Sequence, residues 1–303
     1  MSIKGIYNKM VRAGYLDDTT AAEQNFLDGA TAGTQVASKA VIADANVNIG
    51  VVKATALHIG ASGAEEQVNA TADELNAADM STVTLFEDFL GDALNADIVN
   101  VKAGSGTGNA VAIVAAAQGG QIEIKTASDD GVITANASAL EFGGLHWKAN
   151  QGGLMMEARV QIDNITDAMF FIGFTDTLPN TTLEAPIFLV AADIDSDATN
   201  ACGVLYDTDG TTEEWCHGGV KADTDTVPAF NGAAPVNATW VTVRVEVSAA
   251  GAVQGFIDGT AIGVAVAAAV TITTPLCPVI VAVNRGGAAR NLLVDYVWVQ
   301  ANR

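Results

Sequence analysis

From Leu154 to Asp163 hydrophobic and polar residues alternate. Leu154, Met156, Ala158, Val160 and Ile162 fall on one side, and Met155, Glu157, Arg159, Gln161 and Asp163 on the other. That two-residue period belongs to a strand with one buried face. Val241, Val243, Val245 and Val247 alternate in the same way with Trp240, Thr242, Arg244 and Glu246. Ala252–Gly259 predicts another strand, ended by the Asp258-Gly259 turn signal. Leu292–Val299 is apolar on both faces and predicts a central strand. Several strands, Gly/Asp turns and almost no helical period predict a mainly β protein built as an antiparallel β-sandwich.

Ahead of residue 84 the pattern is weaker and divides in two. Residues 1–30 read as an N-terminal arm, with a capping box at Thr20–Glu23 that predicts a short helix over 21–28, stopped at Gly29. Residues 31–83 read as a small β-rich attachment or oligomerisation unit. Its short apolar runs are Val36–Ile42, Val47–Val52 and Ala56–Ile59, and a second capping box lies at Thr71–Glu74. So short a stretch buries little by itself, so its order is expected to depend on a partner chain or surface. Residues 84–303 are expected to form one sandwich.

Charge narrows the partners. With 35 Asp and Glu against 14 Lys and Arg, the net charge is −21. A nucleic-acid binder needs a basic surface, so DNA and RNA are excluded as expected partners. The longest apolar run, Ala261–Ile272, is too short for a bilayer span of about 20 residues, and no secretory signal pattern opens the chain. No membrane association is therefore expected. Lys4, Lys9 and Arg12 are a basic cluster with no acid before Asp17. They are either a solvated chain end or an arm that docks on an acidic partner. Cys202, Cys216 and Cys277 are too few and odd in number for a disulfide framework. Cys202 and Cys216 flank the turn around Asp209, where they would face each other across a hairpin, and reduced packed thiols are the expectation.

Several segments carry a resemblance. Phe86–Phe89, Glu157–Ile162, Phe171–Asp176, Trp240–Val245, Gly255–Gly259 and Val294–Val299 follow one another as do strands of the concanavalin A-like lectin and glucanase sandwiches, which they resemble. A narrower resemblance is to virion proteins of tailed bacteriophages. It rests on Gly203–Gly210 and Gly219–Thr226, and on Gly33–Val41 and Ala70–Asn76, which are similar to connector segments of head-decoration, head-fibre and tail-fibre proteins. The resemblance implies a concanavalin A-like jelly roll and a structural protein of the phage particle, made in the host cytoplasm and displayed on the virion surface. It further implies self-association, with a homotrimer preferred, and contact with the major capsid protein or another virion protein. On this reading Lys4, Lys9 and Arg12 attach to the capsid. The alternative is a tail-fibre or receptor-binding protein whose sandwich binds a host-surface glycan.

Candidate chemistry is sparse. Glucanases of this fold place a Glu-x-Asp-x-Glu strand in their cleft, and no such triplet occurs here. The protein is therefore expected not to be an enzyme, and no cofactor is expected. Asp193, Asp195 and Asp197 are a weak calcium candidate; as an EF-hand the run fails at Ala198 and Val204. Cys216 and His217 lack a second ligand pair with zinc spacing. Trp215, beside Glu213, Glu214 and His217, is the expected exposed residue for stacking on a sugar, with His217 as its neighbour, whereas Trp240 and Trp298 lie in strands.

Overall fold

The computed structural model describes residues 82–303, apart from 92, 116, 118, 129–131 and 231–232, together with the backbone of two short strands before them. The chain divides into the units Met1–Asn76 and Ala77–Arg303. In the first, β1 (Leu57–Ile59) pairs antiparallel with β2 (Glu66–Val68), and β1 comes from the apolar run that begins at Ala56. The expected helix over 21–28, the runs 36–42 and 47–52, the capping box at Thr71 and the arm residues Lys4, Lys9 and Arg12 lie outside the described residues.

The second unit continues with β3 (Thr82–Glu87), β4 (Val99–Ala103), β5 (Ala110–Ile113), β6 (Ile122–Lys125), the single helical turn α1 (Ile133–Asn136), β7 (Ala137–Phe142), β8 (Leu154–Ile162) and β9 (Ala168–Thr175). Then come β10 (Phe188–Val190), β11 (Asp193–Asp195), β12 (Asn200–Asp207), β13 (Cys216–Lys221), β14 (Trp240–Val247), β15 (Val253–Ile257), β16 (Thr260–Ala261), β17 (Cys277–Asn284) and β18 (Asn291–Asn302). A six-stranded sheet runs in the order β13-β12-β9-β17-β7-β4, and an eight-stranded sheet in the order β16-β15-β14-β8-β18-β6-β5. The eighth strand, β3, pairs with the far end of β18 beyond β6. All pairings between these strands are antiparallel, and one core of side chains fills the space between the sheets. The mainly β, antiparallel sandwich expected from the alternation is the observed fold.

The two sheets differ in how their outward faces end. β8 alternates strictly between buried and half-buried positions, so its polar set faces outward. β9, β12 and β17 are buried at every position. Their inward side chains, such as Phe170, Ile172, Val204 and Ile280, join the core between the sheets. Their outward ones, such as Met169, Phe171, Leu205 and Val281, are covered by the chain between β9 and β12, through Leu183, Ala185, Ile187, Leu189, Ile194 and Ala198. The protein thus has a third layer over its six-stranded sheet. Gly173 and Gly203, opposite each other in β9 and β12, make room for it. A Cβ at Gly203 would stand 2.6 Å from the Phe171 ring and 2.5 Å from the Ile172 carbonyl, so only glycine lets the ring lie against the sheet.

A buried carboxylate latches that layer. Asp207, 0% exposed at the end of β12, accepts from the Leu189 N–H of the covering segment at 2.9 Å and the Asp209 N–H at 3.1 Å. Arg285, beyond β17, donates to it through Nε at 3.0 Å and Nη2 at 2.6 Å, stays within 3.3 Å of Asp209, and lies over the Phe188 ring. Burial pushes the Asp207 carboxyl upward, against the pull of the guanidinium and both amides.

Two expectations need correction. Cys202 and Cys216 do not face each other. Cys202 stands opposite Gly219 and Cys216 opposite Leu205, and their side chains enter different cores on opposite faces of the sheet. All three cysteines are free and buried, as expected of packed thiols, and burial raises each thiol above its ordinary range. The closing strand is central but not apolar on both sides. Its register shifts between Val294 and Tyr296, and the extra residue, Asp295, turns Tyr296, Trp298 and Gln300 outward while Val297, Val299 and Ala301 stay in the core.

Asp207→Ala takes from Arg285 its buried partner, leaving only the exposed Asp209 carboxylate, and strips the Leu189 amide of its acceptor; it is expected to cost about 3–5 kcal/mol in chemical denaturation. Hydrogen exchange at the Leu189 amide should accelerate by more than at the β8 amides. Equal acceleration at both would show that Asp207 does not latch the layer.

Candidate functional site

Among the described residues, the six-stranded face is closed by its own chain and the outward face of the eight-stranded sheet is open. Antiparallel pairing sets its side chains in rows across the strands. One row reads Phe86, Trp298, Glu157, Arg244 and Phe256, contributed by β3, β18, β8, β14 and β15. On one side of it lies the row Thr84, Gln300, Met155, Glu246 and Gln254. On the other side come Tyr296, Arg159 and Thr242, then Glu123, Leu293, Gln161 and Trp240. Phe86 is 56% exposed, while Trp298, Tyr296, Trp240 and Phe256 are half-buried.

Neighbouring rows are tied together by charge and ring contacts. Arg159 donates to Asp295 at 2.5 Å and lies 4.7 Å from the centre of the Trp240 ring. The Tyr296 hydroxyl donates to Glu157 at 2.8 Å, and the Tyr296 ring stacks on Phe86 with centroids 6.0 Å apart. Burial and then the Glu157 carboxylate push the Tyr296 hydroxyl up to about 12, so it stays a donor at neutral pH. Arg244 lies 4.4 Å from the Phe256 ring centre, with its Nε 3.1 Å from Glu246. That last contact is close in distance but lacks hydrogen-bond alignment, so the Arg244 Nε–H has no aligned acceptor among the described residues. A groove of about 440 Å³ opens along the row of Met155, Glu246, Gln254 and Gln300, between Ser248 and Ala265. Aromatic edges and faces alternating with fixed carboxylate, guanidinium and amide groups suit a ligand that is part apolar ring and part hydroxyl.

The residues singled out from the sequence lie elsewhere. Trp215, expected to be exposed, is 1% exposed and packs edge-on against Tyr206 between the sheets. His217 is fully buried, its Nε2 3.1 Å from the Val264 carbonyl and its Nδ1 without a partner among the described residues. Neither can touch a glycan as placed. Trp215 immediately precedes β13 and His217 lies in it; the acidic turn before them is at the surface, but the chain turns inward at Trp215. Asp193 and Asp195 project to solvent from β11, Ile194 between them enters the outer core, and Asp197 accepts from the Ala185 N–H. Among the described residues no three His, Cys, Asp or Glu side chains are placed to hold a metal ion. The sequence reading passed over the open-face set Glu157, Arg159, Arg244, Tyr296 and Phe86. Their signal was present as the polar half of each alternating strand, but the rows depend on register.

No protein-family model matches the chain, and no curated protein is similar to it. Solved structures are similar to it at low identity. A Bacillus licheniformis β-glucanase is 10% identical with a TM-score of 0.48, over 73% of this chain and 98% of the other. A carbohydrate esterase from the Shiga toxin-encoding bacteriophage phi24B is 15% identical with a TM-score of 0.42, over 70% and 93%. A transglycosylase is 14% identical with a TM-score of 0.45, over 73% and 84%. At these identities the likeness is one of fold. The expectation that the protein is not an enzyme is corrected: the similar solved structures include a glucanase, a transglycosylase and an esterase. The missing Glu-x-Asp-x-Glu strand excludes only that one arrangement of carboxylates.

The placement of His217 sets a pH dependence. Burial lowers its pKa from 6.5 to about 4, so it is neutral in the fold and takes up a proton on unfolding between those values. Its contribution is therefore complete above the unfolded value and is lost as the pH falls toward the folded one, by about 3 kcal/mol. Urea denaturation at about pH 7 and about pH 4.5 should show a smaller loss in His217→Gln than in the parent. An equal loss in both would remove His217 as the titrating group.

Proposed function

We propose that the protein is a surface protein of a tailed-phage particle whose sandwich takes hold of carbohydrate by the open face of its eight-stranded sheet. The observation that carries the carbohydrate reading is the row Phe86, Trp298, Glu157, Arg244 and Phe256, in which rings stand on both sides of a carboxylate and a guanidinium. A sugar offers C–H faces to rings and hydroxyls to charged acceptors and donors, and charge-assisted hydrogen bonds are the stronger ones. The particle assignment is supported by the segments that resemble phage connectors, 33–41 and 70–76, and by the acidic, strand-rich composition. On this reading residues 31–83 and the basic cluster Lys4, Lys9 and Arg12 attach the protein to its particle, and the sandwich faces outward.

A second reading, decoration of the capsid as a homotrimer bound to the major capsid protein, is favoured by the division of the chain at residue 76. A separate N-terminal unit serves shell attachment whether or not the sandwich meets a glycan. Purified heads and tails distinguish the two positions on the particle, because the chain should co-purify with one of them.

The glycan reading is tested on an array of host-surface polysaccharides, with released reducing ends measured in the same wells. Trp298→Ala is expected to weaken binding at least tenfold by removing the ring that meets a sugar's C–H face, with circular dichroism showing the fold retained. An array on which the parent protein binds nothing would remove this reading.

A further inference from the structure

We infer that the groove between Ser248 and Ala265 is a subsite for one uncharged sugar residue, adjoining the aromatic row; this rests on the carbohydrate reading above. The groove holds about 440 Å³, within the range of about 300–1,000 Å³ typical of small-ligand sites. Met155, Ala252 and Ala265 give it apolar side chains and Ser248, Glu246, Gln254 and Gln300 polar ones, while Leu154 and Val247, whose side chains lie in the core, border it. It lies one row from Trp298 and Arg244, because Gln300 and Glu246 follow them by two residues on the same faces of β18 and β14. A ligand stacked on Trp298 therefore reaches the groove without leaving the sheet.

The hydrogen-bonding groups select what enters. Gln254 spends its Nε2 donor on the Gly255 and Ile262 carbonyls, which leaves its side-chain oxygen as an acceptor. The Ser248 oxygen already accepts from the Ala252 N–H. Glu246 is 47% exposed and is an acceptor in its ionised form. The nearest cation, Arg244, already lies against Glu246 and over Phe256, and no lining residue is basic. Carboxylate and amide oxygens, with no cation in the lining itself, favour a ligand that donates hydroxyls. They disfavour uronate, sialate, sulfate or phosphate groups, which would meet the Glu246 carboxylate at short range. The net charge of −21 adds to that repulsion at a distance.

The full chain is titrated with neutral oligosaccharides (maltoheptaose, cellohexaose and laminarihexaose) and with oligogalacturonate, following tryptophan fluorescence and calorimetry. At least one neutral ligand should bind at least tenfold tighter than the acidic one, and that affinity should change little with salt. Ala265→Trp, which fills the groove, should weaken neutral binding tenfold or more while circular dichroism and the thermal midpoint stay the same. Glu246→Gln frees Arg244 and should narrow the gap between neutral and acidic ligands. Loss of binding in Trp298→Ala with full binding in Ala265→Trp would overturn the subsite and leave the carbohydrate reading standing. So would acidic ligands that bind as well as neutral ones. No binding of any ligand by the parent would overturn both.

Discussion

The carboxylate of Asp207 joins three parts of the chain that are far apart in sequence. A buried charge costs several kcal/mol unless its lone pairs are all engaged. Here two backbone amides and both prongs of a guanidinium engage them: Leu189 from the covering segment, Asp209 from the following turn, and Arg285 from beyond β17. The β12 end, the third layer and the β17–β18 connection are fixed at one point. Apolar contact beneath the layer supplies adhesion without direction, and the carboxylate supplies the position.

That arrangement decides which surface is available for work. The layer closes the six-stranded face over Met169, Phe171, Leu205 and Val281, so no side chain of β9, β12 or β17 meets solvent. Rings and charges accumulate on the opposite side, where the arginines are immobilised over Trp240 and Phe256 and held by Asp295 and Glu246. Side chains held in this way lose little further freedom when a ligand arrives, which favours binding.

The half-buried strands were legible because their period is local. Leu154–Ile162 was readable in full, and its structure alternates buried and half-buried without exception. β9 and β12 were less legible. A strand covered on both sides carries no alternation, and the covering residues Leu183–Ala198 have no period that announces a layer. Trp215 and His217 were misplaced for a related reason. Local polarity, Glu213 and Glu214, says nothing about which sheet closes over the strand that follows. The open face stayed hidden because it exists only through register. Phe86 and Phe256 are 170 positions apart, and it is pairing through β18, β8 and β14 that puts them in one row. Histidines and acids invite chemistry in a sequence, whereas here the polar members of ordinary strands form the surface.

The bulge in β18 makes this strand unequally tolerant of changes in its length. Asp295 is the residue that the partner strand does not count, since Val294 faces Val160 and Tyr296 already faces Arg159. Excising it would leave Leu292, Val294, Val297, Val299 and Ala301 in phase with the core and forfeit only the ion pair to Arg159. Loss of any residue from 297 to 300 would instead put the remainder of the strand half a pleat out of phase, exchanging inside for outside. The bulge, where the chain can be shortened without turning the strand inside out, is therefore also what holds the guanidinium against Trp240.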